Sequence, residues 1–171
     1  MNAKWLVLIL VCFLPACLPA ADNRQNSDTA VSSETSTTPT PTSTVDAETR
    51  ELIADYLALR KVPGQFTGGD WDEDVDRWLG RKHTAMLELG ARLGASNLGC
   101  SQLTDLLQQP DHTVQGGDPL HDLIQSLPTY EPPQNEAAQF LVYEWRGTHD
   151  FLFFVCEDGR ITAADWWYAG E

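Results

Sequence analysis

The chain has 171 residues, with 25 acidic against 11 basic side chains and a formal charge of −14. Such a surface repels nucleic-acid phosphates and anionic lipid headgroups, which excludes nucleic-acid binding and adsorption onto a charged membrane. The length suits one domain of ordinary size with a real core, and no internal repeat divides it.

At the N-terminus, Lys4 precedes a ten-residue apolar run from Trp5 to Leu14, and Leu14-Pro15-Ala16-Cys17 closes it. A charged start, a short apolar core and a small residue before the cut describe a secretory signal. Cleavage just before a cysteine resembles the lipobox of bacterial lipoproteins, in which that cysteine becomes the lipidated first residue. The resemblance implies a signal peptide over residues 1–16 and a lipid on Cys17. The competing reading, cleavage after Ala20 or Ala21, leaves Leu18 or Pro19 three residues upstream, where small side chains are preferred. A retained span is disfavoured, because crossing a bilayer takes about 20 apolar residues and Pro15 and Pro19 interrupt this stretch. Leu18, rather than aspartate, after the cysteine implies outer-membrane sorting where the cell has two membranes. The expected location is the cell envelope, lipid-anchored to a membrane and facing the periplasm or the exterior. Without residues 1–16 the chain keeps ten basic and 25 acidic residues, a charge of −15.

Residues 17–46 read as the lipidated cysteine and a linker. Twelve of the 25 residues from 22 to 46 are Ser or Thr, with Pro39 and Pro41 among them. Nothing in that stretch offsets the entropy lost on ordering, so it is expected to behave as a coil. Its span is then roughly 5–6 Å × √n, or about 28 Å, enough for a tethered domain to clear the headgroups.

Residues 47–171 form the predicted globular domain. Asp46 is placed to cap a first helix running to about Val62, with Leu52, Ile53, Tyr56, Leu57 and Arg60 at three- and four-residue steps. Pro63-Gly64 ends it. A second helix is expected from about Asp72 to Leu93, lined by Trp71, Val75, Trp78, Leu79, Met86, Leu89 and Leu93. Leu103, Leu106 and Leu107 suggest a short third helix closed by Pro110. Leu120, Leu123, Ile124 and Leu127 suggest a fourth, between Pro119 and Pro128. Pro128, Pro132 and Pro133 mark an extended crossing.

From Phe140 the period changes to two, and three strands are expected at 139–146, 150–157 and 160–168. Asp158-Gly159 is a two-residue hairpin turn, in which both positions take positive φ. A regular hairpin through it pairs Cys156 with Ile161, Phe154 with Ala163 and Leu152 with Asp165. The opposite face then carries Phe151, Phe153, Val155, Thr162, Ala164, Trp166 and Tyr168. The fold class is therefore α+β, with N-terminal helices packed on a C-terminal three-stranded antiparallel meander. Both faces of that meander are apolar, although such sheets usually wet one face. Either helices cover both sides or one side is a recognition surface.

Leu103-x-x-Leu106-Leu107-x-x-Pro110-Asp111, then a Tyr- and Trp-bearing strand, then Phe153-Phe154 and Asp158-Gly159-Arg160-Ile161, is similar to the small-protein-A/outer-membrane lipoprotein group (BamE-like). That group packs two helices on a three-stranded antiparallel sheet, as β-lactamase-inhibitor-protein-like domains do. The similarity covers about residues 97–165. Gln108 stands where the family usually has glycine, Gly99 where a Ser or Thr cap is usual, and a Pro-rich insertion occupies 112–137. The resemblance implies a non-enzymatic envelope domain that binds another protein.

Cys100 and Cys156 are the only cysteines left beyond Cys17. In an oxidising envelope such a pair is expected to form a disulfide, contributing roughly 2–4 kcal/mol. It selects the face bearing Leu152, Phe154 and Cys156 as core.

Asp70, Asp72, Glu73, Asp74 and Asp76 fail as an EF-hand. Position six would be Val75 or Arg77 and position twelve Arg81 or His83, where glycine and glutamate are required. His83, His112, His121 and His149 lie at no metal-binding spacing, and neither Ser101 nor Ser126 sits in a nucleophile elbow. No catalytic residue, metal or cofactor is expected. Phe151, Phe153, Trp166, Tyr168 and Trp145 are the expected contacts for a protein partner, since aromatic side chains dominate binding hot spots. Trp145, Trp167 and Tyr168 as a platform for glycan or peptidoglycan fragments are the alternative.

Overall fold

A computed structural model of the chain describes residues 45–127 and 137–170. The signal segment, Cys17, the linker up to residue 44 and the crossing at 128–136 lie outside the described residues. The elements are α1 (Ala47–Leu59), a 3-10 turn (Gln65–Thr67), α2 (Arg81–Leu93), α3 (Cys100–Leu107), β1 (His112–Val114), α4 (Pro119–Gln125), β2 (Gln139–Glu144), β3 (Asp150–Glu157) and β4 (Arg160–Tyr168). The strands form one antiparallel sheet in the order β1-β2-β3-β4.

The class is α+β, but the sheet has four strands among the described residues, not three. The added strand, His112-Thr113-Val114, pairs antiparallel with Val142, Leu141 and Phe140. Three residues are too few for an alternating pattern to stand out in sequence. Asp46 caps α1 as expected, its Oδ1 accepting from the Thr49 N–H at 2.7 Å. Helix α2 starts at Arg81 rather than near Asp72. The segment before it folds into turns because its own carboxylates capture backbone N–H groups, an alternative that Asp offers wherever a helix would otherwise form. Asp72 Oδ1 accepts from Asp74 and Val75, and Asp76 Oδ2 accepts from Gln65 and Asp72. Gln108, where the resembled family carries glycine, takes φ 65° at the end of α3.

The Asp158-Gly159 turn has positive φ at both residues, 49° and 77°. One irregularity follows it. Cys156 pairs with Ile161, but Val155 already pairs with Ala163, so Thr162 is an extra residue on β4. This bulge inverts the facing of everything beyond it. Phe154 pairs with Ala164 and Leu152 with Trp166, not with Ala163 and Asp165 as a regular hairpin requires.

Two buried clusters result. On one face, Tyr143, Trp145, Leu152, Phe154 and Ile161 pack with Tyr56 of α1, Met86 and Leu89 of α2, and Leu103 of α3; Trp166 and Tyr168 pack against this cluster. On the other, Phe140, Val142, Phe151, Phe153 and Val155 pack with Val114 of β1 and Ile124 of α4. Both faces are covered. Phe151 and Phe153 are 0 % exposed, which overturns their expected role as partner contacts. They also lie on the opposite face from Trp166 and Tyr168, so the five predicted contact residues do not form one surface. The physical reason is the bulge at Thr162, together with α4, whose apolar side meets the second face.

Cys100 and Cys156 are disulfide-bonded, with Cα atoms 6.0 Å apart. The bond joins the start of α3 to the end of β3, where Cys100 N–H also donates to Gly159 O and Ile161 N–H to Leu98 O.

Candidate functional site

The segment between α1 and α2 is anchored by one buried carboxylate. Besides holding the Gln65 and Asp72 N–H groups, at 3.0 and 2.8 Å, Asp76 lies so close to Gly64 that a Cβ there would sit 2.2 Å from Asp76 Oδ1. Gly64 is therefore required by close approach. The segment is tied to the sheet through its carbonyls. Trp145 Nε1–H donates to Val75 O at 2.6 Å, and Arg146 Nε–H donates to Asp76 O at 2.8 Å, with a second guanidinium N–H from Nη2 to the same oxygen. Lys82 Nζ donates in turn to Trp145 O at 3.1 Å.

These ties hold Trp78 and Leu79 outward. Trp78 is 52 % and Leu79 60 % exposed, while most of the described aromatic rings are buried or half-buried. Leu79 adopts φ 58°, a left-handed conformation that a non-glycine residue takes only when its surroundings impose it. Its N–H donates to His83 Nδ1 at 3.2 Å. Accepting there makes Nδ1 the unprotonated nitrogen, so Nε2 carries the hydrogen and faces the Tyr168 hydroxyl at 3.3 Å. Burial, and then the Arg146 charge, push the His83 imidazole down to about 4, so it is neutral at ordinary pH. Burial, and then Asp150 and Asp165, push the Tyr168 phenol up to about 12.

Around this histidine the rings form a continuous cluster. Trp78 lies 4.4 Å from His83, 5.8 Å from Trp145 and 5.1 Å from Tyr168, centroid to centroid. Trp166 and Tyr168 stack in parallel at 5.3 Å. Beside the cluster opens a half-open cleft of about 460 Å³, lined by Trp78, Arg146, Asp150, Tyr168 and Gly170. That size lies in the small-ligand range. Arg146 Nη1 and Asp150 Oδ2 stand 3.7 Å apart, and both side chains are about nine-tenths buried. The guanidinium also sits over the Trp145 ring at 4.1 Å and the Phe66 ring at 5.1 Å. Asp150 Oδ1 accepts from the Ala169 N–H at 3.3 Å.

Of the residues singled out in the sequence, the site contains Tyr168, with Trp166 behind it and Trp145 buried beneath. Phe151 and Phe153 are elsewhere, Trp167 packs with the other cluster, and the disulfide is at the far end of β3. Sequence reasoning missed Trp78, His83, Arg146 and Asp150 as partners. A signal existed for two of them: Arg146 and Asp150 flank the Gly147-Thr148-His149 turn at a spacing of four, which brings their side chains together when the turn closes. Among the described residues, no group of three or more His, Cys, Asp or Glu is placed to hold a metal ion, and no helix is long and apolar enough to cross a membrane. Comparison with protein-family models, with curated proteins and with solved structures found no match.

Proposed function

We propose that this protein is a lipid-anchored cell-envelope lipoprotein, tethered through Cys17, whose domain is a non-enzymatic binding module that takes a small ligand into the Trp78–Tyr168 cleft. The observation that carries the reading is Trp78 itself. A half-exposed tryptophan costs solvation, and here it stands on a segment pinned by a buried carboxylate, a buried guanidinium and a strained Leu79. Strain held in place beside a cleft is a mark of a pre-organised site. His83 has both ring nitrogens engaged in holding Leu79 and Tyr168, a positioning task rather than an acid–base one. The lipobox supports the envelope location, and the positive φ of Gln108, where the BamE-like group has glycine, supports that resemblance.

A second reading, a protein partner, is favoured by a specific observation: Val62, Phe66, Trp71, Trp78 and Leu79, the large apolar side chains left exposed among the described residues, all belong to the segment after α1. Any such docking surface is therefore this segment and not the sheet face. The two readings separate by nuclear magnetic resonance of the protein against the low-mass and the protein fractions of a cell-envelope extract. Shifts at Trp78 and Tyr168 produced by the low-mass fraction, with the Tyr168 shift lost in Trp78→Ala, support the cleft. Shifts confined to Phe66 and Trp71 with the protein fraction would move the function to the second reading.

A further inference from the structure

Deepening the cleft reading, on which this rests, we propose that the ligand is a neutral saccharide, with one sugar ring laid on the exposed face of Trp78 and its hydroxyls meeting the Arg146–Asp150 pair.

The cleft has an unusual combination of walls. One side is aromatic, Trp78 and Tyr168; the floor is a cation and an anion 3.7 Å apart, each about nine-tenths buried. An anionic ligand meets the Asp150 carboxylate and the field of a chain whose formal charge is −14, and is repelled by both. A cationic ligand fares no better. Arg146, fixed over the Trp145 and Phe66 rings, stands 3.7 Å from Asp150 and offsets its charge, and its own positive charge opposes a second one in the cleft. A purely apolar ligand or peptide side chain would displace water from this ion pair and return no hydrogen bond, a desolvation with no compensation.

A sugar matches every wall at once. Its C–H face is apolar and flat enough to stack on an indole. Its edge carries neighbouring hydroxyls, and so is able to donate to the carboxylate of the pair. Asp150 is suited to receive such a bond. A carboxylate has about four acceptor positions, and this one is engaged by the Ala169 N–H at 3.3 Å and by Arg146 at 3.7 Å. The volume of about 460 Å³ and the half-open shape suit one or two rings with the chain continuing outward.

The test uses the full chain, labelled with 5-fluorotryptophan and held in a detergent without a sugar headgroup. It is titrated with neutral di- and tetrasaccharides of gluco, galacto, manno and N-acetyl configuration, with choline and inorganic phosphate as the charged probes. We expect one or more neutral sugars to shift the Trp78 resonance saturably. By titration calorimetry, which needs no indole at position 78, Trp78→Ala should weaken that sugar at least about tenfold and Trp78→Phe should retain most of the affinity, and neither charged probe should compete. Because Trp78 is solvent-facing, its variants are expected to fold. The saccharide assignment is overturned if no neutral sugar moves the resonance, if Trp78→Ala binds as well as the parent, or if choline or phosphate takes the site instead. A Trp78 resonance that moves with a charged probe or with envelope extract, but with no sugar, overturns the saccharide and keeps the cleft. A resonance that nothing moves removes both.

Discussion

At its Cys156 end, β3 is closed by a disulfide, by backbone bonds from Cys100 to Gly159 and from Ile161 to Leu98, and by buried aliphatic side chains. At its Asp150 end the same strand meets four aromatic rings, a histidine, an ion pair and a half-open cleft. The first end is held by a covalent bond and by burial, which are indifferent to what surrounds the protein. The second is held by directional polar contacts that leave a tryptophan and a leucine in solvent. The covalent anchor and the candidate site thus lie at opposite ends of one strand.

The sharpest way to break this division is to attack the core between the two ends. Phe153→Ala removes a fully buried ring from the α4 side and should cost about 3–5 kcal/mol in urea unfolding. If instead Phe153 were a partner contact, the variant would keep its stability. Next, Cys100→Ala with Cys156→Ala should lose about 2–4 kcal/mol while the 5-fluorotryptophan resonance of Trp78 in the folded state stays unchanged. A large change in that resonance would show that the two ends are coupled.

The polar end should respond to acid through His83. Its folded value of about 4 lies below the ordinary 6.5, so between those pH values the unfolded chain binds a proton that the folded one does not. Stability from this group is present above about pH 6.5 and lost as pH falls toward 4, by something on the order of 1–3 kcal/mol. Unfolding curves at pH 7 and 4.5 check this, and His83→Gln should lack that part of the pH dependence. The smallest effect on stability is expected from Trp78→Ala, within about 0.5–1 kcal/mol, paired with the largest effect on ligand capture. A marked loss of stability there would make Trp78 a structural residue.

Legibility in the sequence varied with how local the cause was. The Asp46 cap, α1, α3, α4 and the Asp158-Gly159 hairpin depend on contacts within a few residues, and they stand where the periodicity and the turn chemistry put them. The start of α2 was misplaced because Trp71, Val75, Trp78 and Leu79 repeat at helical steps while Asp72 and Asp76 take the backbone donors for turns. The partner face built from Phe151, Phe153, Trp166 and Tyr168 failed for one residue, Thr162. An extra residue in a strand carries no compositional mark when it is a Thr between Ile161 and Ala163, yet it turns Trp166, Trp167 and Tyr168 each to the other side of the sheet.

What the chain determined by itself was class: helices before an antiparallel sheet, one pair of cysteines suited to bonding, and acidic character. These follow from composition, short-range period and local turn preference. Only the tertiary structure decided which rings share a surface, that a short strand and α4 seal the second face, and that Trp78, Tyr168, Arg146 and Asp150 meet. Those outcomes depend on register across strands and on packing between segments some seventy residues apart, as with Arg146 and Asp76, and no local pattern records either.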